Sequence, residues 1–146
     1  MKKFSFTMES IRRVNQTKKE LAMAGLAEAT LKLNSEKERL QYFEGLLQGQ
    51  LDQDQEEQIQ NISYYLQREK YLKRLRDNIL FQKNNIKAAT KVVENAKDKL
   101  QKAHIEVKKM DKACEIQKKK WSYESNREEQ SLNDEIATTK HFFSVN

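Results

Sequence analysis

The sequence predicts an all-α protein, a long antiparallel two-helix coiled coil (a helical hairpin) with a projecting C-terminal helical extension. Three observations predict it. The 146 residues include no proline and 3 glycines, where an ordinary soluble chain of this length would hold roughly seven and ten; tight turns are scarce. Hydrophobic residues make up 37% and charged residues 34%, which is too little apolar surface for a compact globule and enough for a narrow seam between helices. A seven-residue apolar repeat runs through the second half, the mark of a left-handed coiled-coil seam.

From the N-terminus, Phe4, Met8, Ile11, Val14 and Leu21 fall at helical spacing, and Leu26, Leu33, Leu40 and Leu47 follow at intervals of seven. They predict a first long helix. Gly45, Gly49, Asp52 and Asp54 cluster after it, with Asp54 and Glu57 spaced like a helix cap and its acidic third residue. The chain reversal is therefore expected near 48–57. Residues 58–70, with Ile59, Ile62, Tyr65 and Leu66, either begin the second helix or form a short tip helix.

The second helix carries the strictest pattern. Stepping by sevens gives Leu72, Ile79, Ile86, Val93, Leu100, Val107, Cys114 and Trp121, and the companion positions are Leu75, Gln82, Ala89, Ala96, Ala103, Met110, Gln117 and Glu124. Alanine at these companion positions lets a partner helix approach closely. The arms are unequal, so part of the second helix should project. Beyond Trp121 the register slips, because the next apolar candidates are Leu132, Ile136 and Phe143. That segment either frays or packs against another protein. One chain with two helices and a break closes its own seam, which favours a monomeric hairpin and a single elongated domain over 1–146; a parallel homodimer is the rival arrangement.

Several functions are disfavoured at this stage. Apolar runs of three or four residues fall far short of the ~20 that span a bilayer, and Glu9, Arg12 and Arg13 interrupt any secretory signal after the basic start. With one cysteine, Cys114, no internal disulfide is available. These features predict a cytosolic chain. The two histidines, His104 and His141, lie far from forming a nucleophile and base with Cys114, which is ten residues beyond His104 and about 15 Å along a helix. No glycine loop cradles phosphate, and no Cys/His cluster has metal-ligand spacing. The sequence is read as non-enzymatic, with no cofactor, metal or small-molecule substrate.

Charge divides by region. Residues 1–57 carry 9 basic and 10 acidic side chains, residues 58–146 carry 19 and 12, and the net charge is +6. Such a basic helix suits an acidic protein, an anionic lipid or a nucleic acid, although most lysine-rich coiled-coil flanks are solvated faces. A nucleic-acid reading would use Lys83, Lys87, Lys91, Lys108 and Lys109 and would show steep salt dependence. Tyr42, Phe43, Tyr64, Tyr65 and Tyr71 near the break exceed what a seam needs and suit a protein interface or a covered tip.

Two end segments carry a family resemblance. The opening Phe4-x-Phe6-x-Met8-x-x-Ile11-Arg12-x-Val14, followed by alanines at 22, 24, 27 and 29, and the closing acidic helix Glu124, Glu128, Glu129, Leu132, Asp134, Glu135, Ile136 resemble FliJ proteins of the bacterial flagellum. The resemblance implies an antiparallel coiled coil similar to the shaft of rotary ATPases, and a soluble part of the flagellar type III export apparatus at the inner face of the cell membrane. It implies contacts with the hexameric export ATPase FliI, the export gate protein FlhA and export chaperones. Carried over by position, Phe4, Phe6, Met8, Glu128, Leu132, Asp134 and Glu135 would meet the ATPase ring, and Leu40, Phe43 and Leu47 the gate. Thr138-Thr139 stand where the family commonly has further basic residues. A coiled-coil chaperone or scaffold of a related secretion system would share this layout.

Overall fold

The computed structural model describes residues 2–56 and 61–145. Two helices account for nearly all of them, α1 (Glu9–Glu56) and α2 (Ile62–Val145), packed against each other as a helical hairpin with no strand among the described residues. Neither helix is long and apolar enough to cross a membrane. α1 starts after a turn in which the Glu9 amide donates to the Phe6 carbonyl at 3.2 Å, and Glu9 places a carboxylate at the positive end of the helix dipole.

Gly45 and Gly49 do not turn the chain. Both lie inside α1 without positive φ, since a glycine costs a helix only about 1 kcal/mol relative to alanine and neighbouring packing outweighs that. The reversal expected over 48–57 thus overlaps helix as far as Glu56, and residue 57 lies outside the described residues. Of the segment expected as a tip helix or helix start, 58–60 lie outside the described residues and 62–70 belong to α2. The cap of α2 is Asn61, not Asp54: its side-chain oxygen accepts the Ser63 amide at 3.0 Å, and its carbonyl accepts the Tyr65 amide at 3.0 Å.

Contacts group the chain into two compact units, residues 1–19 with 102–146 (unit 1) and residues 20–101 (unit 2). In unit 2 the seam follows the heptads. On α1, Ala22, Leu26, Ala29, Leu33, Glu36, Leu40, Phe43, Leu47 and Gln50 are buried or half-buried, and on α2 every position from Leu72 to Leu100 in the predicted series is too. Leu72 and Leu75 are 3% exposed. The Gln82 amide donates to the Glu36 carbonyl at 2.9 Å, and the Arg68 guanidinium donates to the Gln50 carbonyl at 2.7 Å. Moving forward from 36 to 50 along α1 moves backward by the same distance, 82 to 68, along α2, which is an antiparallel register without slip.

One layer of this seam is polar. Gln82 is 2% exposed; its amide nitrogen donates to the Glu36 carboxylate as well as the Glu36 carbonyl, and its oxygen accepts the Asn85 amide at 3.4 Å. A polar group at a seam position costs stability and fixes register, because any slip would leave it buried without partners. Replacing both sides of the layer, Gln82→Leu with Glu36→Leu, is expected to raise the unfolding midpoint. Thermal denaturation by circular dichroism checks this, and a lower midpoint would show that the layer holds the hairpin together.

In unit 1 the core is smaller. Phe6 is 7% and Val107 6% exposed, and the Gln117 amide donates to the Thr7 hydroxyl at 3.0 Å. Here the expected seam needs correction. Met8, Ile11 and Val14 are 45%, 46% and 53% exposed, and Leu21, in unit 2, is 67% exposed, whereas Arg12, Asn15 and Lys19 are half-buried. Steps of three residues precess by about 60° per step around a helix, so the run 8, 11, 14 drifts away from any straight seam. The half-buried positions 12, 15 and 19 keep the three-and-four spacing of Ala22, Leu26 and Ala29.

Candidate partner-binding surfaces

The side chains assigned to an ATPase contact all fall in unit 1, on two segments. Phe4 is half-buried with its ring centroid 5.9 Å from that of Trp121, tilted by 57°, a geometry aromatic pairs favour. Phe6 is buried. Met8 is exposed beside them. Glu128, Leu132, Asp134 and Glu135 lie on α2 beyond Trp121, where 126–144 are all exposed; seven residues of helix from Trp121 to Glu128 span about 10 Å. The structure therefore joins Phe4 to the base of the acidic segment and leaves that segment without cover.

α2 continues through this segment as uninterrupted helix to Val145. No new nucleation is needed, since each turn extends one already formed. Thr138 and Thr139 return their hydroxyls to the Asp134 and Glu135 carbonyls, each at 2.8 Å. Leu132 and Ile136 are 59% and 47% exposed, and Ile136, Thr139, Lys140 and Phe143 line a shallow depression. An apolar stripe bordered by the carboxylates of Glu128, Asp134 and Glu135 can seat a helix or loop that brings cations.

Further back along α2, at Asp111 and Cys114, sits a polar cluster that the predicted seam missed. Arg12 donates from Nε to Asp111 at 3.0 Å and from a terminal nitrogen toward the Cys114 sulfur at 3.9 Å, with Glu9 at 3.6 Å. The hydrogen bond to Asp111 raises the Arg12 pKa, against a smaller lowering by desolvation; Arg12 stays charged throughout the accessible pH range. Stepping back by sevens from Leu47 through Leu40, Leu33 and Leu26 reaches Lys19 and Arg12, which was the signal available in the sequence. The other described ion pairs of unit 1, Arg13 with Glu9, Lys109 with Glu106 and Lys119 with Glu115, are exposed pairs within one helix and contribute little.

The residues assigned to a gate contact lie in unit 2. Leu40, Phe43 and Leu47 are half-buried seam positions, so most of what a partner would touch there is the neighbouring Tyr42, 64% exposed, whose ring packs 5.8 Å from that of Phe43. Among the described residues no group of His, Cys, Asp and Glu side chains could hold a metal ion.

The sequence model of one protein family, described as Flagellar FliJ protein, matches residues 4–144. No curated protein and no solved structure matches the chain.

Proposed function

The chain belongs to the FliJ family, whose members are structural components of the flagellar export apparatus rather than enzymes, and from that premise we propose how it works there. It is a coiled-coil coupling subunit that binds the hexameric export ATPase through unit 1, communicates with the export gate protein through unit 2, and escorts export chaperones. It acts in the cytoplasm, against the inner face of the cell membrane, and is a monomer when free.

One observation carries this reading: α2 runs on past Trp121 as helix with Leu132, Ile136 and the flanking carboxylates exposed. An apolar stripe of this length on an otherwise charged helix is what a partner groove would cover. Phe4, packed on Trp121 before the stripe begins, and the exposed Met8 would widen the contact. No chemical step is assigned to the chain; it contributes binding energy and geometry, and the ATPase contributes the chemistry.

The test is a pull-down with the full chain from its source cell. Recovery of a hexameric ATPase together with an export gate protein is expected. Recovery of other flagellar components with no ATPase among them would overturn the coupling role while leaving family membership intact.

A further inference from the structure

Unit 2 is electrically two-faced. Its α1 part, residues 20–53, holds 6 acidic and 3 basic side chains, while its α2 part, residues 62–101, holds 10 basic and 4 acidic. Lys70, Lys73, Arg74, Lys83, Lys87 and Lys91 are all exposed and take part in none of the described ion pairs, which lie in unit 1. Beside them stand large apolar side chains that the seam does not use: Ile62 is 78% exposed, Leu66 54%, Leu80 62% and Phe81 67%.

Members of both sets share the outer side of the helix. Leu66, Lys73, Leu80 and Lys87 recur at steps of seven along one line of α2, Lys70 and Lys91 lie on the adjacent line with Asp77 and Asn84 between them, and Phe81 follows Leu80 on the far flank; both lines face away from the buried Leu72, Leu75, Ile79 and Gln82. A helix with apolar groups among cations on its outer face has the pattern of a surface-lying helix at an anionic bilayer. There the lysines meet lipid phosphates and the Leu and Phe side chains enter between headgroups. A nucleic-acid backbone would answer the cations but not Leu66 or Leu80. The acidic α1 side would be repelled, which sets a single orientation with α2 down.

We propose that the outer face of α2 in unit 2, centred on Lys70, Lys73, Leu80, Phe81 and Lys87, binds anionic lipid bilayers. This uses unit 2 alone and does not rest on the ATPase contact, so removing residues 122–146 should leave it unchanged.

The experiment is co-sedimentation of the full chain with phosphatidylcholine vesicles containing about a third phosphatidylglycerol, and with phosphatidylcholine alone. Binding to the anionic vesicles only, weakening as salt is raised, is expected. Lys70→Glu with Lys73→Glu and Lys87→Glu should weaken partitioning by about a hundredfold or more. Leu80→Ser with Phe81→Ser should retain binding at low salt and lose it at lower salt concentrations than the unaltered chain does. All five side chains are exposed, so the melting curves should overlay; should a variant fail to fold, the salt series on the unaltered chain still decides. Equal binding to neutral vesicles, no binding to anionic ones, or an acidic protein captured where vesicles are not, would each overturn the proposal.

Discussion

Truncating Leu75 to alanine is expected to destabilise the protein by about 2–4 kcal/mol. Leu75 is 3% exposed in unit 2, and its side chain is flanked along the seam by Leu72 and Ile79, both also buried. Full burial of a leucine contributes about 1.5–3 kcal/mol, and truncation adds the cost of whatever cavity remains. A seam only two helices thick can partly collapse or admit water, which keeps the loss below the upper end for deep cores. Leu31 is the control. It is 71% exposed on α1, and its replacement by alanine should leave stability within about 0.5 kcal/mol. Urea denaturation of both variants reads the difference directly, and similar midpoints would contradict the seam assignment. Leu72→Ala should cost about as much alone, but the double variant will not be additive, because the two side chains share one neighbourhood.

Removing residues 122–146 is expected to abolish co-purification of the export ATPase without shifting the thermal midpoint. Residues 122–124 and 126–144 are exposed and Ser125 is half-buried, so the deletion uncovers little core; the helical signal should fall only in proportion to the residues removed. The Phe4 ring on Trp121 and the Arg12 contact with Asp111 stay within the shortened chain and keep the N-terminal segment in place. Retained ATPase binding would refute the role given to Leu132, Asp134 and Glu135. A lost midpoint would show instead that the segment supports the fold.

How much of this was legible in the sequence depended on which residues carried the pattern. The α2 heptads beginning at Leu72 were readable because aliphatic side chains occupy nearly every seam position, and all but Glu124 of the predicted series are buried or half-buried. Leu26 to Leu47 were readable for the same reason. The start of α1 was not, because its seam is built from Arg12, Asn15 and Lys19, whose stems pack while their ends reach water or Asp111. Apolar Met8, Ile11 and Val14 drew the reading onto the wrong face. The Gln82 layer was visible as an irregularity in the repeat, but its partner was not, since no spacing within α2 specifies Glu36. Gly45 and Gly49 were read as punctuation, whereas α1 continues through both as far as Glu56.

That tolerance has a consequence for motion. Gly45 and Gly49 lie one turn apart near the end of α1, and a methyl group added at either would meet nothing within 4 Å. Neither glycine is retained for want of room. Each leaves its stretch of backbone more solvated and more weakly held than alanine would, so breathing of α1, on the timescale of local opening, should concentrate in its last turns. The stiff part of this helix and its pliant part are thereby assigned by two missing side-chain carbons.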